Sequence, residues 1–509
     1  MRETTRGARA GRSVRGAVVG AVATIILGWG APAAATTFNV NTTGDEARHA
    51  TAPTCVCRTG PRGDRCTLRA AVQTANVCPG HDVITLDATG IYHLTIPGAS
   101  EDAGATGDLD VHEGITLIGN GRRVQAEVED RLFDLTVPAT DLVEMIEVDL
   151  ARGDVGGVGG AIRSDGGDLT LDNVRLESSR ATVAGGGLYM SHGELLIIDS
   201  TIQLNAAADG GGAYLDAAVD ADLQGVHLDQ NSADVGGGLV AHSSGPLSID
   251  DCLFTSNQAT AGPGGGLFVV NPDSALVAGT TFAGNFASAD GGGAVLVPDV
   301  GPVMVRSCLF DSNEALDHGG GLIGAGTVEQ SAFSANRAEL GGALATSPSV
   351  WGYLLTSDLE VRNSTIHRNT ATVGAGGTMA SGPTVLLEHV TCDANTAPAP
   401  GPSAHMGSVH LRATIVSGST SGQALCQQTT SLGHNVSLDA SCAGAPSDQV
   451  VSNAGLGGYG AWGGPTPSVP LQSSSPALDA ASLATCPPVD QRGYPRPSGR
   501  GCDVGSFEL

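Results

Sequence analysis

Residues 252–271, CLFTSNQATAGPGGGLFVVN, contain a pattern that returns through much of the chain. A large apolar residue precedes an asparagine by three positions, a glycine run follows, and a short apolar stretch comes next. The same order occurs in residues 308–324, CLFDSNEALDHGGGLIG, and in residues 282–297, FAGNFASADGGGAVLV. A pattern that repeats at a nearly constant interval indicates one supersecondary unit per repeat.

Eight asparagines hold the same place in this repeat, at intervals of 23 to 33 residues. They are Asn205, Asn231, Asn257, Asn285, Asn313, Asn336, Asn369 and Asn395. Two or three short strands with their turns fill one coil of this length, and stacked coils pair as parallel strands about 4.8 Å apart. Propeller blades are longer, and the leucine pattern and helix of a leucine-rich repeat are missing. The sequence therefore predicts an all-β, right-handed parallel β-helix, the hand following the crossover preference of parallel strands.

Stacked coils place equivalent residues in columns, and each column has a predicted role. The asparagines form an amide ladder inside a turn, and the glycines form a sharp corner. Cys252 and Cys308 share a column two coils apart, about 9–10 Å by the strand spacing, whereas a disulfide needs Cα atoms within about 7 Å. We expect both to be free thiols and Cys392, at an interior position, to be a buried apolar residue.

The charge of the chain excludes one class of partner. Its 509 residues have a formal charge of −27, all 25 basic residues are arginine, and none lies between residues 181 and 305. A nucleic-acid-binding protein needs a basic surface to neutralise phosphates, so we expect no nucleic-acid partner. Aromatic residues make up only 4% of the chain, and Gly occupies 74 positions, as expected for many short strands separated by glycine turns.

The first 35 residues have the pattern of an export signal. Five arginines lie within residues 2–15, an apolar run of 13 residues covers residues 17–29, and Ala33-Ala34-Ala35 provides small residues for cleavage. A membrane span needs roughly 20 apolar residues, so the sequence predicts a removed signal peptide over residues 1–35, with an uncleaved anchor as the alternative. No later stretch is long enough to span a membrane, and eleven cysteines suit an oxidising, extracellular setting.

Residues 66–96 predict a short helix that caps the first coil. Leu68, Ala71, Val72 and Ala75 fall on one helical face, and Thr67 stands at the N-cap position. Such a helix covers the raw edge that a solenoid leaves at its end. Four cysteines close to this helix, Cys55, Cys57, Cys66 and Cys78, allow three disulfide connectivities, among which the sequence does not choose.

The same stretch carries a family resemblance. CTLRAAVQTAN at residues 66–76 resembles the domain named for the motif Cys-Ser-Leu-Arg-Glu-Ala, although Thr67 and Ala70 replace its serine and glutamate. EDAGATGDLDV at residues 101–111 matches the same domain, and the glycine and Phe-x-x-Asn repeats resemble those of polymorphic outer-membrane proteins. The tail DQRGYPRPSGRGCDVGSFEL, residues 490–509, resembles a C-terminal choice-of-anchor module. The resemblance implies an exported bacterial surface protein with a pectate-lyase-like solenoid fold.

These observations predict four regions along the chain. Residues 1–35 are the signal peptide, residues 36–115 the N-terminal cap with the first coils, residues 116–425 the repeats, and residues 426–509 the C-terminal coils with a disulfide-stapled cap. Within the last region, residues 446–480 are predicted to form an irregular final coil. The expected C-terminal disulfides are Cys426–Cys442 and Cys486–Cys502, with one crossed pairing as the alternative.

Two sets of acidic residues are candidate metal sites. Glu101, Asp102, Asp108 and Asp110 lie in one ten-residue segment that contains two glycines and is expected to form a loop. Calcium binds six to eight oxygens, often from such a loop. Calcium is therefore a candidate ligand, with a solvated acidic turn as the alternative. The second set precedes glycine corners and is better explained as ordinary Asp-Gly turn chemistry; its members are Asp209, Asp234, Asp290 and Asp317.

Catalytic residues are harder to find. A glycosidase needs carboxylates that converge on one bond, but Asp250 and Asp251 are neighbours in a strand and point to opposite faces. Lyases of this fold combine a basic side chain with a carboxylate-bound calcium, and the arginines of the later repeats look isolated; these are Arg306, Arg337, Arg362 and Arg368. The histidines of the repeats have no metal-ligand spacing and are interpreted as surface or turn residues; they are His192, His227, His242, His318, His367, His389 and His405.

The sequence assigns no catalytic residue, and turnover is the less favoured reading. The expected function is adhesion, matrix binding or glycan binding at the cell surface or in the extracellular space. The alternative is a polysaccharide lyase or glycoside hydrolase acting on an acidic polysaccharide. A groove with clustered carboxylates, or an Arg–Asp set in adjacent coils, favours the enzyme. The oligomeric state does not follow from the sequence.

Overall fold

Three short parallel strands per coil, stacked coil upon coil, make up the body of the molecule. A computed structural model describes residues 35–98, 101–217, 219–299, 301–418 and 423–509. Over these residues the chain forms an all-β parallel β-solenoid of about 12 turns with one short α-helix, which confirms the predicted fold class. The predicted signal peptide, except Ala35, lies outside the described residues.

The strands form three faces, here called sheets 1, 2 and 3 in the order in which each coil visits them. Sheet 1 follows the glycine corner. Its strands are Leu109–Val111, Phe133–Leu135, Ile162–Ser164, Leu188–Met190, Ala213–Leu215, Leu239–His242, Leu267–Val270, Ala294–Val297, Leu322–Gly324, Leu344–Thr346, the first part of Thr378–Glu388 and of His405–Arg412, and Cys426–Gln427.

Sheet 2 has longer strands than sheet 3 in the central repeats. Its strands are Thr37–Val40, Asp82–Leu86, the first part of Ile115–Ala126 and of Leu142–Ala151, Asp168–Asp172, Gly193–Ile198, Val219–Gln224, Pro246–Asp250, Ser274–Ala278, Val303–Arg306, Gly326–Glu329, Leu359–Arg362, the second part of Thr378–Glu388 and of His405–Arg412, and Thr430–Ser431. The long strands bend from one face to the next.

Sheet 3 carries the interior phenylalanines. Its strands are Ile91–Leu94, the second part of Ile115–Ala126 and of Leu142–Ala151, Arg175–Glu177, Thr201–Gln203, His227–Asp229, Leu253–Thr255, Thr281–Ala283, Leu309–Asp311, Ala332–Ser334, Thr365–His367, Thr391–Asp393, Ile415–Ser417, Val436–Ser437 and Gln449–Val450. Between sheets 3 and 1, short strands pair in parallel at Asp154–Val155, Arg180–Ala181, Ser232–Ala233, Gln258–Ala259, Phe286–Ala287, Glu314–Ala315, Arg337–Leu340 and Thr370–Gly374.

The asparagines lie in one buried column at the turn after sheet 3. In each coil the residue before the asparagine has a positive φ, as at Ser256 and Ser312, which turns the chain sharply and leaves nearby carbonyls unpaired. The Asn285 Nδ2 donates to the Phe254 carbonyl at 2.9 Å and to the Asn313 Oδ1 at 2.9 Å. The side-chain amides thus satisfy buried backbone groups from one coil to the next.

The interior is packed in rows of identical side chains. The rings of Phe254, Phe282, Phe310 and Phe333 stack in sheet 3 with centroids 4.7–4.8 Å apart, and all four are fully buried. This distance is the strand spacing, so each ring covers the one below. Cys252, Cys308 and Cys392 are buried free thiols, as the column argument predicted.

The N-terminal cap contains the helix Leu68–Ala75, whose N-cap Thr67 accepts from the Ala70 amide, as predicted. Arg69 on this helix is fully buried and pairs with Asp45, with Nε to Oδ1 at 2.8 Å. Its guanidinium also donates to the carbonyls of Gly104, Gly107 and Asp108. The arginine therefore ties the helix to the loop that follows the first coil.

Four disulfides close the two ends of the chain. The N-terminal pairs are Cys55–Cys78 and Cys57–Cys66, a choice that the sequence left open. The C-terminal pairs are Cys426–Cys442 and Cys486–Cys502, and not the crossed alternative.

An antiparallel hairpin, Ser349–Val350 paired with Tyr353–Leu354, lies outside the solenoid on sheet 1. It covers a buried apolar row on the outward face, which includes Val240, Phe268, Val295 and Ile323. The Tyr353 hydroxyl lies 3.1 Å from the His242 Nε2, although the two residues are 111 positions apart. The hairpin accounts for the long interval between Asn336 and Asn369, which the sequence repeat did not explain.

The C-terminal segment, which is the chain after Gln449–Val450, contacts the side of the solenoid, so only the start of the predicted final coil, residues 446–480, continues sheet 3. After the last strand of sheet 3 it runs back along the outward face of that sheet. The Gln330 Nε2 donates to the Asp490 carbonyl at 3.1 Å, and the Thr466 hydroxyl donates to the Gln330 carbonyl at 2.8 Å. Sheet 3 presents small outward side chains such as Thr365 and Thr391, which leave room for this segment and bond to it.

Two expectations about single residues are wrong. His367 and His405 are buried strand residues instead of surface or turn residues, because the Tyr459 ring stacks on the first and the coil interior encloses the second. His389 does lie at a turn, with a φ of 51°, but the C-terminal segment buries it. Arg337 pairs with Glu314 and Arg362 pairs with Glu388 because strand register aligns each arginine with an acid of a neighbouring coil, and Arg362 also pairs with Glu360 of its own strand. Among the described residues no helix has the length and hydropathy that a membrane crossing requires.

Candidate functional site

A groove of about 740 Å³ lies on the outward face of sheet 2. Five neighbouring strands contribute its floor. They are Gly193–Ile198, Val219–Gln224, Pro246–Asp250, Ser274–Ala278 and Val303–Arg306. Since the groove crosses the strands, it runs parallel to the solenoid axis for four strand spacings, about 19 Å.

Strand alternation decides which side chains reach the groove. In each strand the apolar residues at every second position point inward, as with Leu195, Ile197 and Leu223, and the residues between them point outward. Parallel register then aligns the outward residues in two rows along the groove. One row holds Glu194, Asp220, Pro246, Ser274 and Pro302, and the other holds Leu196, Asp222, Ser248, Leu276 and Met304.

The two ends of the groove differ in chemistry. One end carries three carboxylates, from Glu194, Asp220 and Asp222. The other end is apolar, with Leu276 43% and Met304 40% exposed to solvent. Serine hydroxyls from adjacent strands lie between the ends. A mainly apolar groove with a few placed polar groups is the usual form of a ligand-binding site.

Negative charge extends beyond the groove along the same face. Seven outward carboxylates occupy successive strands of sheet 2, and the first arginine to follow them on this face is Arg306; the acids are Glu144, Asp168, Asp172, Glu194, Asp220, Asp222 and Asp250. Burial, together with the charges of Asp251 and Asp222, raises the pKa of Asp250. Among the described residues none of the seven forms an ion pair with arginine or histidine.

The acids of this site are not adjacent in sequence, so a search for neighbouring acids does not find them. Asp220 and Asp222 alternate in one strand, so both point outward. Glu194 precedes Asp220 by the 26-residue interval of the repeat and pairs with it across the sheet. Alternating acids at the repeat interval were the signal that identifies this face. Asp250 and Asp251 do not point to opposite faces of one strand as expected, because the strand ends at Asp250 and Asp251, with a φ of 51°, is an exposed turn residue.

The four calcium candidates are not brought together. The Glu101 carboxylate accepts from the amides of its own loop, including the Thr106 amide at 2.8 Å. The Asp102 carbonyl oxygen lies 2.7 Å from the His112 Nε2. The Asp102 carboxylate does not belong to the group of neighbouring carboxylates formed by Asp108, Asp110 and Asp134. Asp108 and Asp110 do come together, but their third neighbour is Asp134, from the next coil of sheet 1.

The residues around this cluster fit a metal ion poorly. The carboxylate oxygens of Asp108, Asp110 and Asp134 lie within 4.8 Å of one another, whereas calcium needs six to eight oxygens. The nearby carbonyl of Asp108 already accepts from Arg69. Arg131 donates to both Asp108 and Asp134 and supplies positive charge where an ion would. Calcium binding stays a prediction that the geometry weakens.

Burial governs the protonation of the cluster. Burial, reinforced by the charges of Asp130 and Asp110, raises the pKa of Asp108 to about 8. Burial likewise raises the pKa of Asp110 to about 6, although its bond from the Gly104 amide opposes the shift. A protonated Asp108 at neutral pH reduces the repulsion between these carboxyl groups.

An Arg–Asp set in adjacent coils does occur, on sheet 1 and not in the groove. Asp134 accepts from Arg131 and from Arg163, whose Nη1 lies 3.0 Å from the Asp134 Oδ2. Arg163 also pairs with Asp165 at 3.2 Å. The sequence argument overlooked both arginines. Each donates to carboxylates, so the set acts as an ion-pair network between coils.

The second acidic set behaves as turn residues. Asp290 pairs with the ring of His318, with its Oδ1 2.8 Å from the His318 Nδ1. Asp209 has a raised pKa through burial and the neighbouring charge of Asp234. Each precedes a glycine with positive φ, such as Gly210 and Gly291.

Comparison with known proteins finds only two distant structural similarities. No protein-family model and no curated protein sequence matches the chain. Among solved structures it is similar to the Dettilon tailspike protein (gp208), with a TM-score of 0.30 and 10% identity, over 75% of this chain and 68% of that one. It is also similar to the pectate lyase Pel9A, with a TM-score of 0.28 and 12% identity, over 94% of this chain and 98% of that one.

Proposed function

We propose that the protein is an exported, extracellular binding protein that holds an extended glycan along the groove of sheet 2 without cleaving it. The observation that supports this is the composition of the groove: carboxylate and hydroxyl oxygens at one end and in the middle, and exposed apolar side chains at the other. Sugar hydroxyls donate to carboxylates, which only accept when ionised. The apolar CH faces of pyranose rings suit contact with Leu276 and Met304.

The repeat distance of the groove favours a glycan over a peptide. Groups in one row recur at the strand spacing, about 4.8 Å, which is comparable with the length of one pyranose unit. An extended peptide places side chains on one face only every ~6.8 Å. The side chains of a peptide laid along the axis therefore fall out of register with the rows, whereas the units of a glycan stay close to the spacing of the rows.

Export is supported by the covalent structure. Four disulfides form in the described part of the chain, and stable disulfides belong to oxidising compartments.

Relationship to the Cys-Ser-Leu-Arg-Glu-Ala domain is supported by Arg69, the arginine of that motif, which anchors the capping helix through Asp45. Ala70, at the glutamate position, is buried against the core, where a carboxylate has no place.

The alternative is a lyase or hydrolase acting on an acidic polysaccharide. The groove offers such a substrate carboxylates and no arginine among its lining residues, so like charges oppose its binding. The arginines of the Arg–Asp set lie on another sheet and are already paired with Asp134. These features favour binding of a less acidic glycan without turnover.

Binding of the purified protein to an array of oligosaccharides tests the proposal. We expect at least one glycan to bind, and L276A/M304A to weaken that binding by about tenfold or more. L354A is the matched control, because Leu354 is a 71% exposed leucine away from the groove. The proposal is wrong if no glycan binds or if the groove variant binds as well as the wild type. Release of reducing or unsaturated ends from any polysaccharide would establish the enzymatic alternative instead.

A further inference from the structure

The groove of sheet 2 carries a charge that narrows the class of glycan. We infer that its ligand is a cationic glycan, a polymer of amino sugars with free amines. The inference rests on the proposed function and adds the charge of the glycan, since glycan binding as such requires no charge on the sugar.

The first argument is the number of uncompensated acids. Seven carboxylates lie outward on the face that contains the groove, from Glu144 to Asp250, and no arginine of that face lies among them. In the later coils some acids at equivalent outward positions are paired. Farther along sheet 2, Glu388 pairs with Arg362 and Arg412. The same kind of row is neutralised in the later coils and left negative beside the groove.

The second argument is the position of the charge within the groove. Glu194 and Asp220 face each other across adjacent strands, and Asp222 lies two residues farther along the same strand. Their mutual repulsion is not relieved by any ion pair among the described residues. Asp222 accepts a hydrogen bond from the neutral amide of Gln224, at 2.7 Å. A protonated amine among these oxygens reduces the repulsion between the carboxylates. It donates hydrogen bonds and accepts none, which matches carboxylates that only accept.

The third argument concerns order along the groove. The carboxylates occupy the strands of residues 193–224, and the exposed apolar side chains Leu276 and Met304 occupy the strands of residues 274–306. A glycan with free amines satisfies both ends, because each unit presents an ammonium group at its edge and an apolar ring face. A small cation satisfies only the first end.

Direct binding measurements separate this inference from the proposed function. The probes are β-linked glucosamine oligomers, the same oligomers fully N-acetylated, and oligogalacturonate of equal length, at mildly acidic pH where amines and carboxylates are both charged. We expect the free-amine oligomer to bind at least about tenfold tighter than the acetylated one. We also expect that preference to shrink in high salt, where the Debye length falls to about 3 Å at 1 M.

A charge-removing variant with a matched control locates the effect. E194Q/D220N/D222N keeps the shape of the groove and removes its three charges, so we expect it to lose the preference for the free amine while still binding the acetylated oligomer. D317N removes one exposed carboxylate at a glycine corner away from the groove and should behave as the wild type.

The other outcomes overturn the inference. Equal binding of the acetylated and free-amine oligomers leaves glycan binding standing and removes the cationic preference. Oligolysine bound as tightly as oligoglucosamine indicates a basic peptide as the occupant. If no oligosaccharide of any kind binds, the proposed function fails together with the inference.

Discussion

Asn285 donates twice to one oxygen of Asn313, from its backbone amide at 3.0 Å and from its Nδ2 at 2.9 Å. The same pair of hydrogen bonds joins Asn257 to Asn285 and Asn313 to Asn336. Each amide therefore accepts from the coil before it and donates to the coil after it. The column is a continuous chain of buried hydrogen bonds parallel to the solenoid axis.

Removing one member of the column should destabilise the solenoid. In N285A the Phe254 carbonyl and both donors of Asn257 lose a partner in a buried turn. We expect the free energy of unfolding to fall by about 2–3 kcal/mol, measured by urea denaturation followed by circular dichroism. Q258A, an exposed position in the same coil as Asn257, should leave the midpoint unchanged. An equal effect of both variants would contradict the role given to the amide.

The glycine corner leaves no room for a side chain. A Cβ on Gly293 would lie 2.5 Å from the Gly321 carbonyl oxygen, which is backbone of the next coil. We expect G293A to cost about 3 kcal/mol by overpacking, visible as a lower thermal midpoint. G156A is the control, because nothing lies within 4 Å of a Cβ there. A midpoint unchanged in G293A would mean that the corner is less tightly packed than described.

The hairpin on sheet 1 should act as a strap over apolar surface. Tyr353 packs its ring on Phe268, with centroids 6.2 Å apart, and bonds to His242. We expect Y353A to lower stability by about 2 kcal/mol and to increase binding of a hydrophobic dye. L354A, in the same hairpin but 71% exposed, should do neither. Dye binding that stays at the wild-type level in Y353A would show that the row beneath remains covered.

His405 should make the solenoid sensitive to acid. It is fully buried, neither ring nitrogen has a hydrogen-bond partner within the described part of the chain, and burial lowers its pKa to about 3. Because its pKa in the unfolded chain is higher, the unfolded state alone binds a proton as the pH falls between these values. Stability is thus fully present above about pH 6.5 and is lost on acidification by about 1.4 kcal/mol per pH unit. In H405L we expect this slope to be smaller, measured by denaturation at several pH values.

The control for that experiment is H192Q, since the His192 side chain is 64% exposed. It should keep the wild-type slope. If H405L and the wild type lose stability with acid at the same rate, His405 is not a source of the dependence.

The thiols should be hidden until the chain unfolds. Burial raises the pKa of Cys252 and of Cys308 to about 12, and raises that of Cys392 as well, so the reactive thiolate is scarce. We expect no reaction with a thiol reagent in the native protein and three thiols per chain after denaturation without reductant. More than three would mean that a disulfide is missing, and rapid reaction in the native state would mean that the thiols are accessible.

Most of the fold could be read from the repeat. The interval between asparagines predicted parallel coils, the columns predicted free thiols at Cys252 and Cys308, and the helical face of residues 68–75 predicted the cap. These features depend on contacts between equivalent positions of neighbouring coils. A regular sequence repeat specifies such contacts because each coil must satisfy the same backbone groups as the coil before it.

The candidate site was predicted far less well. The four acids proposed for calcium were chosen by nearness in sequence, and the structure brings only Asp108 and Asp110 of them together, beside Asp134 of the next coil. Glu194 and Asp220 were not recognised, although they occupy paired positions one interval apart. Proximity along the chain is a poor guide in a solenoid, where a residue one coil away lies closer than a residue four positions away in a strand.

The sequence by itself determined the solenoid, its parallel coils, its asparagine column and its capping helix, because each of these follows from a local pattern or from a fixed interval. Only the tertiary structure decided which side chains share the outward face of sheet 2, that the hairpin at residues 349–354 covers sheet 1, and that the C-terminal segment lies against sheet 3. Strand register brings outward side chains of successive coils together, and no buried contact constrains which residue types occupy those positions. The two segments that fold back make contacts more than 100 residues away in sequence, as between His242 and Tyr353, and no periodic pattern records them.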